Sequence, residues 1–223
     1  MDKHKTLVVA TMNEHKIAEI SAIAGSFGYR AVGRGEAGVP DIEVEETGTT
    51  FEENSLIKAR AIFDMLGGAA AVAADDSGIE VDALSGEPGV YSAHYAEVDA
   101  EADAGFFAAA EAEGLEGRRR QDRANNIKLL CRLEGVPLEK RTARFVSVIT
   151  CLRPGKEPIV CRGTVEGHVD FAETGDGGFG YDPLFIPLGY DCSFGLFGQG
   201  DKNAISHRGR ALAMLAEKLE VDR

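Results

Sequence analysis

Asp75 and Asp76 stand side by side at the end of an apolar run, in the string AADDSG. Neighbouring side chains of an extended chain point to opposite faces, so one acid can face a site while the other faces the scaffold. Two uses compete for them. A magnesium ion takes one or two carboxylates and completes its shell with water and substrate phosphate, and open α/β sheets bind ligands at the ends of their strands. Alternatively, Asp before Ser-Gly is ordinary turn chemistry. A second acid group, Glu43, Glu45 and Glu46, precedes Thr47-Gly48. On an exposed loop it is simply solvated, but a divalent cation could recruit one member together with Asp76.

The complementary charge comes from bases. Lys16 lies one turn into a predicted first helix and Lys58 midway along a second, off the register of Leu56 and Phe63. Lone helical lysines ordinarily face solvent. The most distinctive string lies in the last third, GGFGYDPLF followed by DKNAISHRGRA. Glycines around Phe179 permit close backbone approach, and an aromatic face can stack on a nucleobase. Lys202, His207 and Arg208 follow, with Ser206 placed as the N-cap of a last helix.

The elements that must carry these residues follow from apolar periodicity. Residues 6–10 (TLVVA) form a buried strand. Thr11 and Glu14 have capping-box spacing and Asn13 is itself a good cap, so a helix begins there and closes at Gly25 and Gly28. Its N-terminus favours an anion near Asn13 and Lys16. Residues 51–66 form a second helix with Leu56, Ala59, Ile62, Phe63 and Leu66 on one face. Residues 69–74 form the next strand, ending at the two acids. Residues 100–117 read as a helix with an exposed loop, 117–123 as a solvated loop carrying four arginines, and 121–133 as a helix. Residues 144–152 and 158–169, joined through Pro154-Gly155, read as an antiparallel hairpin. A glycine-rich loop (175–180) and a helix over 205–221 complete the chain. Alternation of strand and helix followed by a hairpin predicts α/β with a mixed sheet. The turn after the first strand, TMNEHK, lacks the G-x-G-x-x-G of a dinucleotide fold, and there is no P-loop.

The 223 residues fit one domain, residues 1–223, with two lobes. There are 37 acids against 24 bases, a net charge of -13, which argues against broad binding to nucleic acid or an anionic membrane. A local cluster of bases or a bound cation still admits a phosphate ligand. Cys131, Cys151, Cys161 and Cys192 form no C-x-x-C pair, so they read as buried thiols rather than a zinc site or a disulfide framework. The apolar run near the N-terminus is too short for a signal peptide, and a cytoplasmic location is expected.

Taken together and in order, LVVATMNEHKIAEI, EETGTTFEENSLIKARAI, AADDSGIEVDALSGEPGVYSAHYA, RFVSVI, and GGFGYDPLF with DKNAISHRGRAL span nearly the whole chain. In these the sequence resembles the inosine triphosphate/xanthosine triphosphate pyrophosphatases, house-cleaning hydrolases of non-standard purine nucleotides. The resemblance implies a two-lobed α/β fold around a long mixed sheet with a central nucleotide-binding cleft, a homodimer, and Mg²⁺-dependent cleavage of ITP, dITP and XTP to the monophosphate and pyrophosphate. It implies that Thr11, Met12, Asn13, Glu14, His15 and Lys16 cradle the triphosphate, that Glu46 and Asp76 hold the metal, that Asp76 also accepts the proton, and that Ser77 contacts substrate. Phe179, Gly180, Tyr181 and Asp182 would wall the base pocket, completed by Lys202, His207 and Arg208. His207 and Arg208 would offer donors to a 6-oxo group, which adenine lacks. A pyrophosphatase of Maf type and a nucleotide-binding regulator without turnover are the alternatives; the intact Lys16, Glu46 and Asp76 argue against the second.

The chain departs from that family pattern at Met12, where a glycine is usual, at His94 (an arginine), and at Ala96-Glu97 (a glycine soon after Tyr95). An extra stretch lies around residues 104–120, and an acid is missing near Leu196.

Overall fold

The structure, a computed structural model, describes residues 5–40 and 42–221. Among the described residues six strands form one mixed sheet in the order β2-β1-β3-β4-β5-β6. They are β1 (Lys5–Val9), β2 (Tyr29–Gly33), β3 (Ala71–Val81), β4 (Thr142–Leu152), β5 (Ile159–Val169) and β6 (Phe185–Pro187). The helices are α1 (Glu14–Ser26), α2 (Phe51–Met65), α3 (Ala100–Ala112), α4 (Gly117–Arg132), α5 (Gln199–Ile205) and α6 (His207–Val221), with a 3-10 stretch at Gly89–Glu97. β1 runs parallel to both β2 and β3, and β6 antiparallel to β5. The connection between neighbouring β4 and β5 is too short for a parallel crossover, so they form the hairpin that the Pro-Gly turn predicts.

The chain divides into two compact units. Met1–Ser77, Val146–Thr164 and Asn203–Arg223 make the first; Gly78–Phe145 and Val165–Lys202 make the second.

In the first unit β1 and β3 are apolar on both faces, as strands covered on both sides must be. Leu7, Val9 and Ala73 pack with Ile20 of α1 and with Ala211, Leu212, Leu215 and Leu219 of α6. Val8, Ala10, Val72 and Ala74 pack on the opposite face with Ala59 and Ile62 of α2. Gly163 of β5 is what admits α6, since a Cβ there would stand 2.2 Å from the His207 carbonyl oxygen and 2.5 Å from the Ala211 nitrogen. α1 starts on Asn13, and α2 on a capping box between Thr50 and Glu53. Ser206 caps α6 by accepting the Gly209 N–H at 3.0 Å, a device whose removal costs about 1 kcal/mol.

The second unit centres on Phe145, Phe185 and Phe194, whose ring centroids lie 4.6 to 6.1 Å apart. Asn125 of α4 accepts the Ala96 N–H at 2.8 Å and donates to the Ser92 and Ala93 carbonyls, tying the 3-10 stretch to the helix.

Several expectations are corrected. β3 does not end at Asp75-Asp76 but runs through both to Val81, because each buried carboxylate has a cationic partner. Arg118, Arg119, Arg120 and Arg123 are not in a loop but in α4, where Arg118 pairs with Asp122, Arg120 with Glu111 and Arg123 with Glu113 and Glu173. The buried stripe of α2 is Phe51, Asn54, Ser55, Ala59 and Ile62, leaving Leu56 exposed. β2 and α5 were not expected. Cys131 is exposed rather than buried, while Cys151 and Cys161 are buried as expected. Among the described residues no helix is long and apolar enough to cross a membrane.

Candidate active site

The strand period of two sorts the acids of β3. Ala73, Asp75 and Ser77 face α1 and α6; Val72, Ala74 and Asp76 face α2. Two charge clusters result, both within the first unit.

On the α1–α6 side, Asp75 is fully buried. Its Oδ2 meets Lys16 Nζ at 2.7 Å and Arg208 Nη2 at 3.2 Å, and accepts the Ser77 hydroxyl at 3.1 Å. Its Oδ1 accepts the Ser147 hydroxyl at 2.5 Å. Burial alone would raise this carboxyl, but the charges of Arg208 and Lys16 hold it well below the usual carboxylate range. Arg208 reaches back to Glu19 of α1, itself 3% exposed, and donates to Ser77 Oγ at 3.0 Å. Burial lowers the Lys16 ammonium from its ordinary value, against the pull of Asp75.

On the α2 side, Lys58 Nζ lies 2.6 Å from Asp76 Oδ1 and 2.9 Å from Glu46 Oε2. Burial pushes the Asp76 carboxyl up to about 6 despite Lys58. Lys58 is raised, because Asp76 and Glu46 outweigh its own burial. The second oxygen, Asp76 Oδ2, is buried without a hydrogen-bond partner. Such an orphaned acceptor is costly and is the kind of atom a cation would satisfy. A metal fits this donor set in a limited way. Glu46 and Asp76 are two carboxylates gathered by one ammonium, whereas among the described residues no group of three or more His, Cys, Asp or Glu could hold an ion. A hard cation completing its shell with phosphate and water matches that count.

Lys58, which as a lone helical lysine would ordinarily face solvent, is instead turned onto Asp76 and Glu46. The signal was present: Phe51, Asn54 or Ser55, Lys58 and Ile62 recur at helical spacing, and anchoring the face on Leu56 hid it.

The turn before α1 is more occupied than expected. Asn13 Oδ1 accepts the His15 and Lys16 N–H groups at 3.0 and 3.2 Å, and Thr11 Oγ1 accepts the Asn13 N–H at 3.2 Å. The N–H groups of Asn13, His15 and Lys16 are thus used within the turn itself, with Glu14 opening the helix and Met12 exposed beside it.

In the second unit, Lys202 Nζ pairs with Asp182 Oδ2 at 2.6 Å and lies 4.8 Å from the centroid of the half-buried Phe179 ring. Asp182 Oδ2 also accepts the Phe179 N–H at 2.8 Å. Gly178 makes this possible: its φ is +73°, and a Cβ would stand 2.1 Å from that same oxygen. Tyr181 is buried and donates to the Ser92 carbonyl at 2.8 Å; burial raises its phenol well above the usual range. So Phe179, Gly180, Tyr181, Asp182 and Lys202 lie together in the second unit, while His207 and Arg208 open α6 in the first. Arg208 departs from its expected place. Its guanidinium is 1% exposed and committed to Glu19, Asp75 and Ser77, so it holds carboxylates rather than offering an edge to a base.

Residues 7–218 match the Ham1 family. The chain belongs to the Ham1 family. Within it, the chain is 44% identical to a dITP/XTP pyrophosphatase of Nitratidesulfovibrio vulgaris, over 95% of this chain and 94% of that one. It is 40% identical to a dITP/XTP pyrophosphatase of Shewanella oneidensis, over 96% and 93%. Among solved structures, the Ham1 protein of Staphylococcus aureus superposes with a TM-score of 0.78 at 38% identity, covering 98% of this chain and 100% of that one. Two departures from the expected family pattern meet in space: His94 Nδ1 lies 2.9 Å from Glu97 Oε2, an exposed pair.

Proposed function

We propose that this Ham1-family chain hydrolyses the non-standard purine nucleoside triphosphates ITP, dITP and XTP to the nucleoside monophosphate and pyrophosphate. The observation that carries this reading is Asp76: a buried carboxylate with one oxygen on Lys58, the other unpartnered, and Glu46 held alongside by the same ammonium. The names of its relatives support the same chemistry.

Asp76 is the proton acceptor for the water that attacks the α-phosphorus. A carboxyl near 6 is matched to that task close to neutral pH. Lys58 positions it and keeps Glu46 within reach. Glu46 and Asp76 would hold Mg²⁺, which when bound supplies charge neutralisation on the triphosphate. Lys16 and the Thr11–Lys16 turn bind phosphate, with Ser77 as a hydroxyl contact. Asp75 does no chemistry; with Arg208 and Glu19 it orients Lys16. Preorganised positive groups of this kind favour a pyrophosphate leaving group.

The base lies against Phe179, with the Asp182–Lys202 pair fixing that ring. A 6-oxo group asks for a donor of the kind the His207 imidazole carries; adenine presents an amino group at that position, and leaving donors unpaired disfavours it. A homodimer in the cytoplasm, acting on free nucleotides rather than nucleic acid, completes the reading. Hydrolysis of ITP in ¹⁸O-labelled water tests it: the label enters the monophosphate if attack is at the α-phosphorus. Label in pyrophosphate, or release of orthophosphate, contradicts it.

A further inference from the structure

One residue of the glycine-rich loop is gripped from outside. Asp122 Oδ2 accepts the Gly180 N–H at 3.0 Å, and Asn126 Nδ2 donates to the Gly180 carbonyl at 3.1 Å. Both backbone polar groups of Gly180 are therefore held by side chains one turn apart on α4. Gly180 has a φ of +62°, a conformation that leaves a glycine loop many alternatives unless outside contacts select one. It lies between Phe179 and Tyr181.

The grip is itself supported. Asn126 is 2% exposed, and its amide also donates to the Glu173 carboxylate. Arg123 holds Glu173 at 2.5 Å and forks onto Glu113 through both Nε and Nη2, the latter at 2.7 Å. Asp122 pairs with Arg118 at 2.9 Å. Glu113 and Arg118 belong to the 104–120 stretch by which this chain departs from the expected pattern. The arginine run and that stretch are thus wired, within one unit, to the loop that carries Phe179.

We propose that Asp122 and Asn126 are positioning residues for nucleobase selectivity. They fix the Gly180 peptide and with it the ring of Phe179, while Glu113, Arg123 and Glu173 keep the Asn126 amide turned to donate. Neither residue touches the base. The proposal rests on assigning Phe179–Asp182 to the base.

The test is steady-state kinetics of the full chain with ITP and ATP, together with inhibition by imidodiphosphate, a probe with phosphates and no base. Asp122→Ala and Asn126→Ala each lower kcat/KM for ITP by about 5- to 30-fold, the range expected for one lost buried hydrogen bond. The loss falls mainly in KM, the ITP-to-ATP preference shrinks by a similar factor, and imidodiphosphate inhibition stays within about twofold. Asp122→Asn, whose amide oxygen still accepts the Gly180 N–H, recovers most of the preference. Asn126→Asp does not, since it loses the donor and sets a second carboxylate beside Glu173. If the alanine variants fail to fold, these two near-isosteric variants carry the comparison alone. An unchanged ITP-to-ATP preference overturns the proposal, as does an equal loss for ITP, ATP and imidodiphosphate, or an Asp122→Asn enzyme as impaired in preference as Asn126→Asp. A wild-type chain that releases no pyrophosphate from ITP overturns the base assignment itself, before any variant is compared.

Discussion

Lys58 Nζ lies 2.6 Å from Asp76 Oδ1, across from an Asp75 that belongs to Lys16 and Arg208 on the other face of the same strand. Two like charges adjacent in sequence thereby avoid sharing an environment. One is held well below the carboxylate range and the other raised to about 6. Separated carboxyl affinities of this kind divide a structural acid from a reactive one.

Asp76→Asn therefore abolishes most turnover while the fold survives. Loss of a general base costs about 10²- to 10⁴-fold. Pyrophosphate release and the melting temperature, measured on the same sample, check it. Near-normal rates remove Asp76 from the mechanism.

In the proposed mechanism a cation at Asp76 would require the carboxylate, and so would compete with a proton near pH 6. Apparent Mg²⁺ affinity falls as pH drops through 6, and binding at that pH releases protons. Calorimetry in buffers of different ionisation enthalpy reads that release. The sign for folding is the reverse of the usual carboxylate case. A raised carboxyl contributes its stability below the unfolded value, and that contribution is lost as pH rises through about 6. Without metal, Asp76 makes the protein less stable between pH 4 and 7, and Mg²⁺ offsets the loss.

Asp75 behaves oppositely. Burial opposes its ionisation, but Arg208 and Lys16 prevail, so its contribution is present above the unfolded carboxylate value and lost as pH falls through its lower folded value. Asp75→Asn removes the carboxylate shared by the half-buried Lys16 and the buried Arg208 and costs about 3–5 kcal/mol. Urea unfolding at neutral pH measures this, and a variant within 1 kcal/mol of wild type would show that Glu19 alone satisfies Arg208.

Lys58→Met removes the charge that opposes the rise in Asp76. The acid limb of the pH–rate profile moves to higher pH, and Glu46 loses its ion pair. An unmoved acid limb would mean that a group other than Asp76 sets it.

Much of this architecture can be read from local pattern. β1, α1, α2, the β4–β5 hairpin and α6 announce themselves by periodicity, caps and a Pro-Gly turn. The misreadings share one cause. A charged pair in an apolar run looks like a strand end, because the partners that allow its burial, Lys16, Lys58 and Arg208, are remote in sequence. The arginines of α4 looked like a loop because their acids, Glu111, Glu113 and Glu173, lie on other segments. β2 is only five residues long and carries a charged residue and a terminal glycine, too little for a strand period to show. The Thr11–Lys16 turn, Glu46 with Asp76, and the loop around Phe179 stand out as candidates only through the resemblance. The burial of Arg208 among carboxylates was not, since it depends on Glu19 emerging on the inner face of α1.

The central claim is best tested by pyrophosphate release from ITP, dITP and XTP against ATP and GTP, with and without Mg²⁺, in the wild-type chain. The first three yield Mg²⁺-dependent pyrophosphate, with ATP strongly disfavoured. Equal turnover of ITP and ATP, or no pyrophosphate from ITP or XTP at any Mg²⁺ concentration, would contradict it.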